Sequence, residues 1–81
     1  MSEADKMFIN LGYKKAEIFK GYITYRKALK GGYKEITFDL EHKLLHIDTA
    51  DAEKYLPIIP TVLSLQEMEI INKKIEELKW N

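Results

Sequence analysis

"YITYRKALKGGYKEITFDL", residues 22–40, consists of two runs of alternating side chains on either side of a glycine pair. In the second run Ile36, Phe38 and Leu40 are apolar, whereas Tyr33, Glu35, Thr37 and Asp39 are mostly polar. That period of two signals a strand with one buried face. Gly31 and Gly32 can supply the positive φ of a tight turn, so Leu29–Gly32 reads as a hairpin turn that pairs Ala28 with Tyr33. The rest of the register follows. One face sets Tyr25 opposite Ile36 and Ile23 opposite Phe38. The other sets Arg26 opposite Glu35, Thr24 opposite Thr37 and Tyr22 opposite Asp39. Apolar pairs and polar pairs segregate, which specifies an antiparallel hairpin with one covered and one open face.

Helical periodicity precedes the hairpin. In "SEADKMFINLGYKK" Ser2 is placed as an N-cap with Asp5 as a weak form of the capping-box acid. Ala4, Met7, Phe8 and Leu11 form the apolar stripe of a short helix, which Gly12 ends and onto which Tyr13 folds back. So short a helix needs a surface to pack on. After the hairpin, "KLLHIDT" (43–49) reads as a third strand, with Leu45 and Ile47 on the covered face and Leu44, His46 and Asp48 on the open one. Pro57 and Pro60 exclude a central strand or a long helix from "ADAEKYLPIIP". "TADAEKY" (49–55) has room for one helical turn, and Thr61–Leu63 reads as a short edge strand.

The last element is "SLQEMEIINKKIEELK" (64–79). Ser64 and Glu67 form a full capping box, and Leu65, Met68, Ile71, Ile75 and Leu78 form one stripe. Ile70 lies off that stripe. Trp80, the only tryptophan, would lie about 140° around the helix from Ile75. Either the helix breaks after Leu78 and the indole folds back over the sheet, or Trp80 and Ile70 border a contact surface. The expected fold is α+β in one domain spanning 1–81: a short N-terminal helix, an antiparallel three- or four-stranded meander, and a C-terminal helix packed on one sheet face.

With 46% hydrophobic and 32% charged residues the composition is that of a packed domain and not a disordered chain. There is no cysteine, which excludes disulfides and thiolate metal sites. The opening "MSEADKMF" is charged where a secretory leader is apolar, so a cytoplasmic location is expected without a membrane segment. The net charge of zero conceals +5 over residues 1–34 and −5 over 35–81. The register places the basic first strand against the acidic second, so much of this asymmetry cancels locally.

Few residues point to chemistry. His46 and Asp48 share a strand face, but no metal-ligand spacing is matched, and no metal or cofactor is expected. Ser2 and Ser64 are caps and not nucleophiles, and Gly31-Gly32 lacks the context of a phosphate loop. No enzymatic activity is expected. The strongest binding candidates are the basic and aromatic residues of the hairpin: Lys20, Tyr22, Arg26, Lys27, Lys30, Tyr33 and Lys34. Tyrosines flanked by cations on a sheet can stack single-stranded bases, although no RNA-recognition signature is present. Ile70 and Trp80 join them as candidates for a protein contact.

"ADKMFINLGYKK", "ITFDL" and "SLQEMEIINKKIEELKW" together resemble a group of short prophage proteins of Gram-positive bacteria. Those proteins open with "MF…LGYKK", continue through a β-meander and close with "INKKIEELGW". The likeness covers most of the chain and is loose over 49–62. Lys79 stands where such proteins often have glycine. The resemblance implies a bacterial cytoplasm and a phage-related accessory role, in host takeover or against host defence. The expected function is thus non-enzymatic protein binding, as a monomer or homodimer, with nucleic-acid binding through the first hairpin as the alternative.

Overall fold

The computed structural model describes residues 2–16, 20–51 and 62–80, with only the backbone described for Ala50 and Asp51. Helix α1 (Glu3–Asn10) is followed by strands β1 (Tyr13–Lys15), β2 (Tyr22–Leu29), β3 (Gly32–Asp39) and β4 (Leu44–Asp51), and by helix α2 (Leu65–Leu78). The strands form one antiparallel sheet in the order β1-β2-β3-β4. The architecture is the expected α+β meander between two helices. Among the described residues no helix is long and apolar enough to cross a membrane.

The hairpin has the register read from its sequence. Ile23 pairs with Phe38, Tyr25 with Ile36, Arg26 with Glu35, and Ala28 with Tyr33. Leu29 and Gly32 pair as well, so the turn is Lys30-Gly31, and Gly31 alone of the two glycines takes a positive φ, +80°. Ile23, Tyr25, Ile36 and Phe38 are buried on one face. Phe8 of α1 and Ile70 and Ile71 of α2 complete the core over them. Phe8 stacks on Tyr25 with ring centroids 3.9 Å apart and meets Tyr13 edge-on at 5.5 Å.

The fourth strand is formed by a different segment from the one expected. Tyr13–Lys15 pairs with Tyr25–Lys27, whereas Val62 and Leu63 are in no strand and Thr61 lies outside the described residues. Three residues show no alternation to read, and β1 forms because Gly12 (φ +100°) turns the chain from α1 directly along β2. β4 starts at Leu44 and runs to Asp51. It occupies 49–51, where the helical turn was expected to begin; the rest of that turn, with Pro57 and Pro60, lies outside the described residues.

Both N-caps form. Ser2 Oγ accepts from the Asp5 N–H at 3.0 Å, and Ser64 and Glu67 make the reciprocal capping box at 3.0 and 2.8 Å. The face that α2 buries differs from the apolar stripe. Glu67, Ile70, Ile71 and Lys74 are buried, while Leu65 is 79% exposed and Met68 47%. The helix is rotated because Glu67 and Lys74 meet charged partners underneath, and Ile70 accordingly belongs to the core and not to a contact surface. The helix ends after Leu78. Lys79 adopts the left-handed conformation (φ 58°, ψ 43°), in which glycine is strain-free, and the Trp80 N–H closes onto the Ile75 carbonyl at 3.2 Å. The half-buried indole lies against Phe38, ring centroids 5.9 Å apart.

Candidate functional site

The two faces of the sheet carry different polar chemistry. On the covered face the polar groups are buried and joined in two networks that fasten the helices. In the first, Lys34 Nζ donates to both Glu67 oxygens at 2.9 Å and to the Val62 carbonyl, and the Tyr13 hydroxyl donates to the same carboxylate. In the second, Asp5 accepts from Tyr25, from Lys15 at 2.9 Å and from Lys74 at 3.3 Å. Glu77 adds a bond from the Ala4 N–H at 2.9 Å. Asp5, placed in the sequence as a capping acid, is turned under the helix instead.

These environments shift the acids and the phenols in opposite directions. Burial pushes the Glu67 carboxyl up, but hydrogen bonds from Tyr13, Lys34 and the Ser64 N–H, with the Lys34 charge, outweigh it and hold the group at about 2. Asp5 likewise lies well below the usual carboxylate range: burial is overcome by the bonds from Lys15 and Tyr25 and by the charges of Lys74 and Lys15. Burial, followed by the adjacent carboxylate, pushes the Tyr13 and Tyr25 phenols up. Glu67 and Asp5 each accept from three donor groups of their own chain. These networks are structural.

The opposite face has no helix over it among the described residues and is the candidate site. Strand alternation places on it Lys14, Tyr22, Thr24, Arg26, Ala28, Tyr33, Glu35, Thr37, Asp39, Leu44, His46 and Asp48. Arg26 donates through Nε and Nη2 to Glu35 Oε2 at 2.9 and 2.7 Å, and its guanidinium lies 4.7 Å from the centroid of the Tyr33 ring. Thr24 and Thr37 share a hydroxyl hydrogen bond of 3.0 Å. Near the hairpin turn, Gly12, Lys14, Arg26, Ala28, Gly32 and Tyr33 enclose a recess of about 270 Å³. Its small residues leave the floor open between the two cations and the tyrosine. At the other end Tyr22 and Leu44 are exposed, and the Asp39 carboxylate fixes the β3–β4 turn by accepting from the Glu41 and His42 N–H groups and from the His42 ring at 2.9 Å. The backbone and ring donors of His42 lower the Asp39 carboxyl, and the Asp39 carboxylate, by its hydrogen bond and its charge, raises the His42 imidazole.

The sequence-derived candidates therefore separate. Arg26 and Tyr33 lie together on the open face, Tyr22 lies on the same face at its far end, and Lys30 projects from the hairpin tip. Lys27 is on the covered side, its ammonium 5.8 Å from the Tyr13 ring. Lys34 is buried in the ion pair with Glu67. Ile70 is 4% exposed, and Trp80 is largely engaged with Phe38. Lys14 was not among the candidates; pairing of β1 with β2 puts it beside Arg26.

In comparisons with protein-family models, curated proteins and solved structures, the chain has no significant match.

Proposed function

We propose that the chain is a small non-enzymatic binding module of phage or prophage type. It acts in a bacterial cytoplasm by occupying a host or phage protein with its open sheet face. The charge balance of that face carries the reading. Among its described residues Lys14 and Arg26 stand with Glu35, Asp39 and Asp48, and Arg26 is neutralised by Glu35 at 2.7 Å. Binding to a phosphate backbone requires uncompensated cations. Two of the lysines that suggested it, Lys27 and Lys34, belong to the other face. An arginine stacked on a tyrosine beside a small recess, rimmed by mixed charge, is instead the composition of a protein contact. The phage-type role rests on the likeness of "MF…LGYKK" and "INKKIEEL" to prophage proteins.

Quantitative affinity capture from lysogenic or infected cells tests this. A wild-type bait should retain a discrete partner, and Tyr33→Ala should reduce its recovery about tenfold, the scale of losing an interface anchor. Lys73→Ala, in α2 away from the open face, should leave recovery unchanged. Equal recovery with Tyr33→Ala would place the contact elsewhere. Nucleic-acid binding remains the second reading because Tyr22 and Tyr33 share the open face with Arg26.

A further inference from the structure

One cross-strand row of the open face is ordered by charge. Lys14 stands opposite Arg26, Arg26 opposite Glu35, and Glu35 opposite Asp48. Two cations on β1 and β2 are thus followed by two carboxylates on β3 and β4, over about 14 Å. The middle pair is the Arg26–Glu35 salt bridge at 2.7 Å. The pairs flanking it are like-charged, Lys14 with Arg26 and Glu35 with Asp48, and like charges directly opposite each other destabilise a sheet. Solvent reaches the row: Lys14 and Asp48 are exposed, and the Arg26 side chain is 58% exposed. At the far end of the same face Tyr22 and Leu44 are exposed as well. A surface carrying the opposite order of charges would relieve both like-charged pairs at once.

We propose that this surface is the open face of a second copy. A half-turn about an axis parallel to the strands, between β2 and β3, lays one face on the other with the strand order reversed. β1 then meets β4 of the second copy, and β2 meets β3. Lys14 comes to lie over Asp48 and Arg26 over Glu35, each twice, so the two rows are complementary along their whole length. The same half-turn places Tyr33 over Ala28, beside the recess of about 270 Å³, a large side chain against a small one. An axis along the row would instead set Lys14 over Lys14 and Asp48 over Asp48. Twisted sheets stack at about 30°, which displaces the ends of the rows by about 4 Å, within the reach of a lysine side chain. Strand spacing and rise give the face about 500 Å² in projection. That is at the low end for a specific interface, so the dimer forms and dissociates in the micromolar range. A second copy and the partner proposed above compete for one face, and the dimer does not rest on that reading.

Sedimentation velocity on the full chain, from low to high micromolar concentration, should show a monomer–dimer equilibrium. Lys14→Glu and Asp48→Lys should each weaken it about tenfold, since two symmetry-related pairs change from attraction to repulsion together. Each change also removes a like-charged pair within its own chain, so neither should unfold it. Mixed in equal amounts, the two variants should form a heterodimer as readily as the wild type pairs with itself, because every facing pair is again of opposite charge. Lys14 and Asp48 lie on the two edge strands of one sheet, so this recovery reports contact between copies and not within one. A monomer over the whole range would overturn the proposal, as would a dimer indifferent to both changes or a mixture in which the variants do not pair.

Discussion

Phe38→Ala will destabilise the protein by about 3–5 kcal/mol, a large part of what so small a domain possesses. Phe38 is fully buried at the middle of the covered face. Its ring meets those of Tyr25 at 6.0 Å, Phe8 at 6.4 Å and Trp80 at 5.9 Å, so truncation opens a cavity bounded by the sheet, both helix faces and the residues after α2. The neighbouring change Thr37→Ala removes only the hydroxyl bond to Thr24 on the open face, and should cost about 0.5–1.5 kcal/mol. Urea melts of the two variants measure the difference. Equal losses would mean that the faces are misassigned.

Lys34→Met will have an effect of the same size by a different route. The ammonium is the principal counter-charge of Glu67, and its removal leaves a carboxylate buried with neutral donors alone, at a cost of about 3–5 kcal/mol. Adding Glu67→Gln should recover much of this, because the amide needs no counter-ion and its oxygen can still cap the Ser64 N–H. The dependence on pH provides the sign. The folded-state value of Glu67, about 2, lies below its ordinary 4.5. The pair therefore stabilises fully above pH 4.5, and its contribution disappears as pH falls toward 2. The gap in stability between wild type and Lys34→Met should narrow over that window. A gap that stayed constant from pH 6 to pH 3 would show that the pair is not formed.

Much of the fold was legible in the sequence because the hairpin obeys parity. Once Gly31 marks the turn, every cross-strand partner from Tyr22–Asp39 to Ala28–Tyr33 is determined, and the observed pairs are those. The same parity already placed Lys27 and Lys34 on the side of Tyr25 and Ile36. Grouping them with Arg26 and Tyr33 by composition overlooked it. The face of α2 was harder to read, since hydrophobic periodicity assumes that charge marks solvent. Glu67 and Lys74 reverse that assumption, for each is long enough to reach an opposite charge beneath the helix. With these two residues counted as inward, Glu67, Ile70, Ile71, Lys74, Ile75 and Leu78 form a better stripe than Leu65 and Met68 do. β1 was illegible for want of length: three residues carry no period, and only the strand beside them makes Tyr13–Lys15 extended. Lys14 entered the site by that route. His46 and Asp48 were visible as a pair, but the charge row in which Asp48 stands emerges only from the ladder.

We propose that the open face, balanced in charge, serves a protein and not phosphate. This reading is tested most directly by titrating the chain with single-stranded DNA and RNA across a series of salt concentrations. Only weak binding is expected, without the steep loss of affinity with rising salt that accompanies release of counter-ions from phosphates. Tight binding that collapses as salt rises, and is reduced by Arg26→Ala or Lys14→Ala, would contradict it.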